Sequence, residues 1–312
     1  MKNGMFKSLR VLIGFIIVAL LFYKIGFSEV YEVLLTVPIS FLIILFLFVF
    51  LDMLIAAINL KVLLRPLVNS LKFRVLFSSY IYSWILSFLV PGKLGESSLV
   101  YFLRDKVSPK KTTTVFLLDK LITLSILGIF SVIGFLIFFG VLNSLLLLII
   151  LILLIALFFV VLSSWRIRKF IRKFILRKYS IFFKGFHSTF FNYLKTKKRH
   201  ISLNMFITIF KLLLNASIFY LFFNFFFNQS INFFFIFFIT SIGILTSIVP
   251  ITSNGVGVRE FFVLLLYAKL NVDLTLVLSV YSLIILANYV MLGLMLIILS
   301  PKLKKRFINK IY

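Results

Sequence analysis

The sequence predicts an all-α polytopic membrane protein, with about six full transmembrane spans plus two broken re-entrant hairpins in an inverted repeat. Three observations predict it. Of the 312 residues 62% are hydrophobic, several apolar runs approach the ~20 residues a bilayer requires, and mean hydropathy is +1.19. Two such runs stop at a proline and leave a glutamate behind: Pro91-Gly92-Lys93-Leu94-Gly95-Glu96 and Pro250 through Arg259-Glu260. Hydrocarbon holds no water for a broken helix, so irregular backbone persists there only beside a cavity or inside protein. A pair of breaks, one in each half, points to a transport site.

Basic residues set the expected sidedness. Lys2, Lys7 and Arg10 precede a first span over about 9–27, placing the N-terminus in the cytoplasm. That run is long for a signal peptide and lacks a small-residue cleavage site, so it reads as a retained helix. Glu29 and Glu32 follow outside. A second span, about 39–60, ends at Lys61, Arg65, Lys72 and Arg74, inside. Residues 75–90 then break at Pro91. The returning piece is too short to cross, and Arg104, Lys106, Lys110 and Lys111 call for the cytoplasm, so 75–106 reads as a hairpin entered from inside. Spans 112–139 and 145–163 follow, joined by an uncharged turn.

The stretch 164–200 is a basic cytoplasmic linker. Its Ile167, Phe170, Ile171, Phe174 and Ile175 recur at helical spacing among Arg and Lys, which suits a helix on the membrane face bound to anionic lipid. Span 201–227 leads to a second broken element, 231–271, readable as a hairpin from outside or as two full spans. A last span, 274–299, ends in the basic tail 301–312, so the C-terminus is also inside. The whole chain, 1–312, is then one transmembrane domain in the cell membrane. Its halves, 1–163 and 201–300, are related by topology rather than by side-chain repeats.

The net charge of +26 resembles a nucleic-acid signal, but in a polytopic chain it reads as topology, with no nucleic-acid partner expected. The 42 phenylalanines read as lipid-facing filler. The absence of cysteine excludes disulfides, thiolate metal sites and cysteine nucleophiles. His187 and His200 form no metal constellation, no nucleotide-binding or Ser-His-Asp pattern is present, and neither cofactor nor metal nor catalytic residue is expected.

Candidate site residues cluster at the breaks. Glu96 and Glu260 fall in the first turn of a returning half-helix, where unpaired N–H groups and the dipole make a positive end. They either cap it, for about 0.3–1 kcal/mol, or form a site. Against capping alone stands the cost of a carboxylate in a membrane, about 2.5 kcal/mol or more. Lys93 and Arg259 are placed to neutralise them or to bind a lipid phosphate, and Gly95, Gly255 and Gly257 let backbone approach a ligand. Asp52, Asn59, Asp119, Lys211, Asn215 and Asn288 are further intramembrane polar residues. Each is read as a cavity liner or as helix–helix glue, with Asp119 and Lys120 as a local pair.

The segments PGKLGESS and PITSNGVGVREFF, separated by about 150 residues, resemble the signature of the transmembrane region of lysylphosphatidylglycerol synthases, which also occurs as stand-alone flippase-like proteins. Pro91, Gly95 and Glu96 match the first motif; Pro250, Gly255, Gly257, Arg259 and Glu260 match the second. Lys93 stands where the family often has Arg, Ser97 and Ser98 where a further basic residue is common, and Phe261 where a small residue is. The resemblance covers essentially the whole chain. It implies a flippase-like transporter of a phospholipid or other amphipathic lipid, without the soluble synthase domain. The alternatives it leaves are a membrane subunit of a glycosyl- or aminoacyl-transferase system, with a soluble transferase partner, or a membrane transferase itself. Membrane lipids are the expected ligands, and a homo-oligomer is allowed.

Overall fold

The computed structural model describes residues 2–89, 94–170, 186–248, 251–252 and 255–308. Pro91, Gly92, Lys93, Pro250, Asn254 and most of the amphipathic pattern in the basic linker lie outside them. Helices α1 (Lys2–Ile25) and α2 (Phe27–Thr36) meet at Gly26 with a 90° bend. Then come α3 (Ile39–Leu64), α4 (Phe73–Leu89), a 3-10 turn (Leu94–Ser98) running into α5 (Leu99–Leu103), and α6 (Pro109–Ser163). Short α7 (Trp165–Phe170) and α8 (Phe186–Thr196) precede α9 (Lys198–Tyr220), which closes in a π-helical turn, Leu221–Phe226. The chain ends with α10 (Phe233–Ile248), α11 (Val258–Ala268) and α12 (Leu274–Ile308).

Four of the described helices are long and apolar enough to cross a membrane, or five if α1 and α2 count as one bent span. The longest, α6, is folded. Gly140 adopts φ 80°, ψ 179° inside it, a region essentially reserved for glycine. A straight helix would hold residues 128 and 151 about 35 Å apart, yet a Cβ on Gly128 would touch Leu151 Cδ1 at 3.0 Å. The arms before and after Gly140 therefore run antiparallel. The uncharged turn expected over 140–144 shrinks to that one residue. The second arm faces outward, with Leu142, Leu153 and Leu157 more than half exposed, as a lipid-facing surface would be.

Both broken elements are hairpins. In the first, Gly95 packs so tightly on α4 that an added Cβ would fall 2.3 Å from the Leu86 carbonyl oxygen. Farther down the same hairpin Tyr82 and Phe102 rings meet at 5.3 Å. In the second, Gly255 returns against Ser247 and Arg259 against Gly243. Of the hairpin and the two-span readings, the described lengths fit the hairpin. At 16 and 11 residues, α10 and α11 rise about 24 and 17 Å, short of a ~30 Å hydrocarbon core.

The helix pairs fix which end each hairpin enters. Antiparallel α3 and α9 meet through Asn59 and Thr208 at one end and through Phe41 and Phe226 at the other. Lys61, Arg65, Lys110, Lys111 and Lys198 gather at the first end, where Lys111 Nζ donates to the Leu67 carbonyl at 2.7 Å. The first hairpin starts and finishes at this basic end. At the opposite end Lys269 lies over the Phe139 ring, beside the Gly140 turn; the second hairpin starts and finishes there. Two further contacts tie the bundle together. The middle of α1 lies under the second hairpin, where a Cβ on Gly257 would fall 2.8 Å from the Gly14 carbonyl oxygen. Helix α8, in the C-terminal part of the basic linker, buries Phe190 and Tyr193, and the Tyr193 hydroxyl donates to Leu63 O at 2.8 Å.

Candidate functional site

Between α3, α6, α9, α12 and the inner ends of both hairpins lies a cavity of about 470 Å³. Its walls are mostly apolar, with Leu the commonest residue, interrupted by charged groups. In a chain with eight acidic residues, Asp52, Glu96 and Asp119 border this one space and Glu260 lies just behind it. A carboxylate in a membrane interior is costly without a partner, and each of them has one.

On the α9 side, Lys211 Nζ is 3.3 Å from Asp52 Oδ2, and Asn215 Nδ2 donates to Asp52 Oδ1 at 2.8 Å. At the foot of the first hairpin Lys120 Nζ donates to Glu96 Oε2 and lies 3.6 Å from Asp119 Oδ2. Asp119 Oδ1 in turn faces the amides of Asn59 and Asn204, at 3.4 and 3.3 Å. On the second hairpin Arg259 borders the cavity, its guanidinium 5.6 Å from the centre of the Tyr281 ring.

Glu96 and Glu260 look equivalent in the sequence and are not. Glu260 is buried, 2% exposed, and does not border the cavity. Its Oε2 accepts from the Gly257 N–H at 2.6 Å and its Oε1 from Arg259 Nε and Nη2 at 2.7 and 2.6 Å. It caps α11 and orients Arg259. Glu96 faces the cavity with 14% of its side chain exposed, and its cation is Lys120 on α6. Lys93, the neighbour expected to neutralise it, lies outside the described residues.

The structure brings Asp52, Asn59, Asp119, Lys211, Asn215 and Asn288 to the same cavity. Gly95, Gly255 and Gly257 are not on its wall; they serve close packing within and around the hairpins. Sequence reasoning passed over Asn204, Thr208 and Tyr281. The first two carried a signal: Asn204, Thr208, Lys211 and Asn215 recur at helical spacing along an otherwise apolar helix. Tyr281 carried none, since a tyrosine in an apolar span reads as core. Among the described residues no group of three or more His, Cys, Asp or Glu is placed to share a metal ion.

Comparison with curated proteins finds no match. A family model described as "Lysylphosphatidylglycerol synthase TM region" matches residues 8–295, nearly the whole chain. A polytopic helical bundle with a charged interior cavity between two broken helices, matched over that length, belongs to the lysylphosphatidylglycerol synthase transmembrane-region family.

Proposed function

We propose that the chain moves an amphipathic lipid between leaflets, holding the head group in the interior cavity. The observation that carries this is the meeting of Glu96–Lys120 from the first hairpin's side and Arg259 from the second in one space. At about 470 Å³ the cavity falls within the ~300–1,000 Å³ range of small-ligand pockets. Arg259 supplies a planar fork suited to a lipid phosphate; Asp52 and Glu96 suit a cationic part of the same head group. Opposed movement of the two hairpins, acting as an inverted repeat, would open the cavity to each leaflet in turn. The basic end faces the cytoplasm of the cell membrane with both termini, and draws anionic lipid.

The test is head-group-labelled lipid translocation in proteoliposomes. Replacing the pair together, Arg259→Gln with Glu260→Gln, leaves no stranded charge. It is expected to slow translocation at least about tenfold, the equivalent of about 1.4 kcal/mol. Wild-type rates in the folded double variant would remove the proposed site. A soluble transferase that copurifies, together with vesicles that stay impermeable to lipid, would favour a support role in a transferase system.

A further inference from the structure

The guanidinium of Arg259, on α11, is held from several directions and keeps one nitrogen free. Its Nε and Nη2 both donate to Glu260 Oε1, at 2.7 and 2.6 Å. Its stem crosses Gly243 of α10, where an added Cβ would lie 3.4 Å from Arg259 Cγ. From α12 the ring centre of Tyr281 sits 5.6 Å from Arg259 Cζ, within the ~6 Å reach of a cation–π contact. Among the described residues Nη1 has no partner. Arg259 lies on the cavity wall with 22% of its side chain exposed. Tyr281 is itself fixed: it is 2% exposed, and the Phe219 ring of α9 stacks with it at 4.6 Å.

We propose that Tyr281 is a positioning residue for an oxyanion of the phosphate class. Its ring holds the guanidinium by the face, so that Nη1 stays open to a ligand in the cavity. The proposal deepens the head-group reading above and rests on it. The chemistry favours a ring in this place. A second carboxylate would hold the guanidinium as firmly, but it would occupy N–H donors and repel an incoming anion. An aromatic face attracts the cation through its quadrupole, takes up no donor and adds no charge. Away from water such a contact is stronger than at an exposed surface, and both partners here are largely buried. The other half of the chain supplies the contrast. There the helix after the hairpin, α6, brings an ammonium, Lys120, onto Glu96. Here the helix after the hairpin, α12, brings a ring onto Arg259. The first arrangement commits its donor to an ion pair, while the second orients the cation and leaves donors available.

The experiment measures, by fluorescence anisotropy, binding of two lipids to the purified full chain in detergent. One is a fluorescent short-chain phosphatidic acid; the other is the matching diacylglycerol, which lacks the phosphate. The wild type is expected to bind the phosphatidic acid at least about tenfold more tightly. Tyr281→Leu should weaken phosphatidic acid binding about tenfold and leave diacylglycerol binding unmoved. Tyr281→Phe, which keeps the ring, should restore the preference. With Arg259→Gln and Glu260→Gln already in place, Tyr281→Leu should have no further effect. If Tyr281→Leu does not fold, as judged by gel filtration, Tyr281→Met carries the test. Equal losses for both lipids would mean that Tyr281 only packs the bundle, and would overturn the proposal. So would a full preference in Tyr281→Leu, or a Tyr281→Phe as weak as Tyr281→Leu, which would assign the effect to the hydroxyl. The two readings fail differently. A wild type that does not distinguish the lipids removes the phosphate from the head-group reading, and this proposal with it. A wild type that does, with no loss in Tyr281→Leu, removes this proposal alone.

Discussion

Lys120 is the residue on which the cavity's charge balance turns, because it answers two carboxylates at once. Removing it alone takes an ammonium from both carboxylates, and removing Glu96 alone leaves that ammonium with Asp119 as its carboxylate partner. Thermal unfolding in detergent should show Lys120→Met and Glu96→Gln each destabilising, with the double variant losing less than the sum. With 43% of the Lys120 side chain exposed to the cavity, the coupling should be about 1 kcal/mol, between exposed-pair and buried-pair values. Strictly additive losses would mean that the pair carries no net interaction. How much of this was legible from the residues is uneven. Asp119 and Lys120 are visible as neighbours, but the partner that matters is 24 residues away and is brought near only by the hairpin. Glu96 and Glu260 occupy the same place in their motifs; a neighbouring arginine and a capping geometry turn one of them away from the cavity.

The hairpins were the most legible elements, since a proline followed by glycines inside an apolar run has few other meanings in a bilayer. Their depth was not, because it depends on where the backbone doubles back on itself. Gly255 marks that place in the second hairpin. It has φ +76°, and an added Cβ would lie 2.4 Å from Ser247 Cβ. Gly255→Ala should therefore cost about 1–3 kcal/mol and lower the melting temperature. Gly293→Ala, in α12 with nothing within 4 Å, should be neutral or gain about 0.5–1 kcal/mol. Equal melting temperatures for the two variants would argue against the tight return. The fold of α6 was half legible: two spans were expected, but not that their junction is a single non-helical glycine, Gly140. The packing of α8 was not legible, because helical periodicity reports that one face is apolar and not whether lipid or protein covers it.

At the scale of the molecule, the asymmetry of charge between the two ends of the bundle is what the sequence stated most plainly, through its basic loops. It yields an orientation that can be checked cleanly because the chain has no cysteine of its own. Ser230 and Ser108 are exposed at opposite ends. In intact cells a membrane-impermeant maleimide should label Ser230→Cys, and should reach Ser108→Cys only after lysis. The reverse pattern would invert the proposed sidedness, and labelling of both in intact cells would contradict a bundle with two faces. The bundle itself was less legible than its ends. Hydropathy assigns spans one at a time, whereas the cavity exists only through contacts such as Asp52 with Lys211 and Asn215, which join distant parts of the chain.

The packing of Gly14 against Gly257 has a consequence in time. Some 240 residues separate the two, roughly 10 to 50 seconds of synthesis at ordinary translation speeds. The helix that carries Gly14 therefore waits in the lipid, one face uncovered, until the segment that carries Gly257 arrives. During that interval the glycine that later seats the hairpin is open to any other helix in the membrane. Bulky replacements of Gly14 would thus be felt first in the yield of assembled protein made by cells, and only second in the stability of the molecules that succeed.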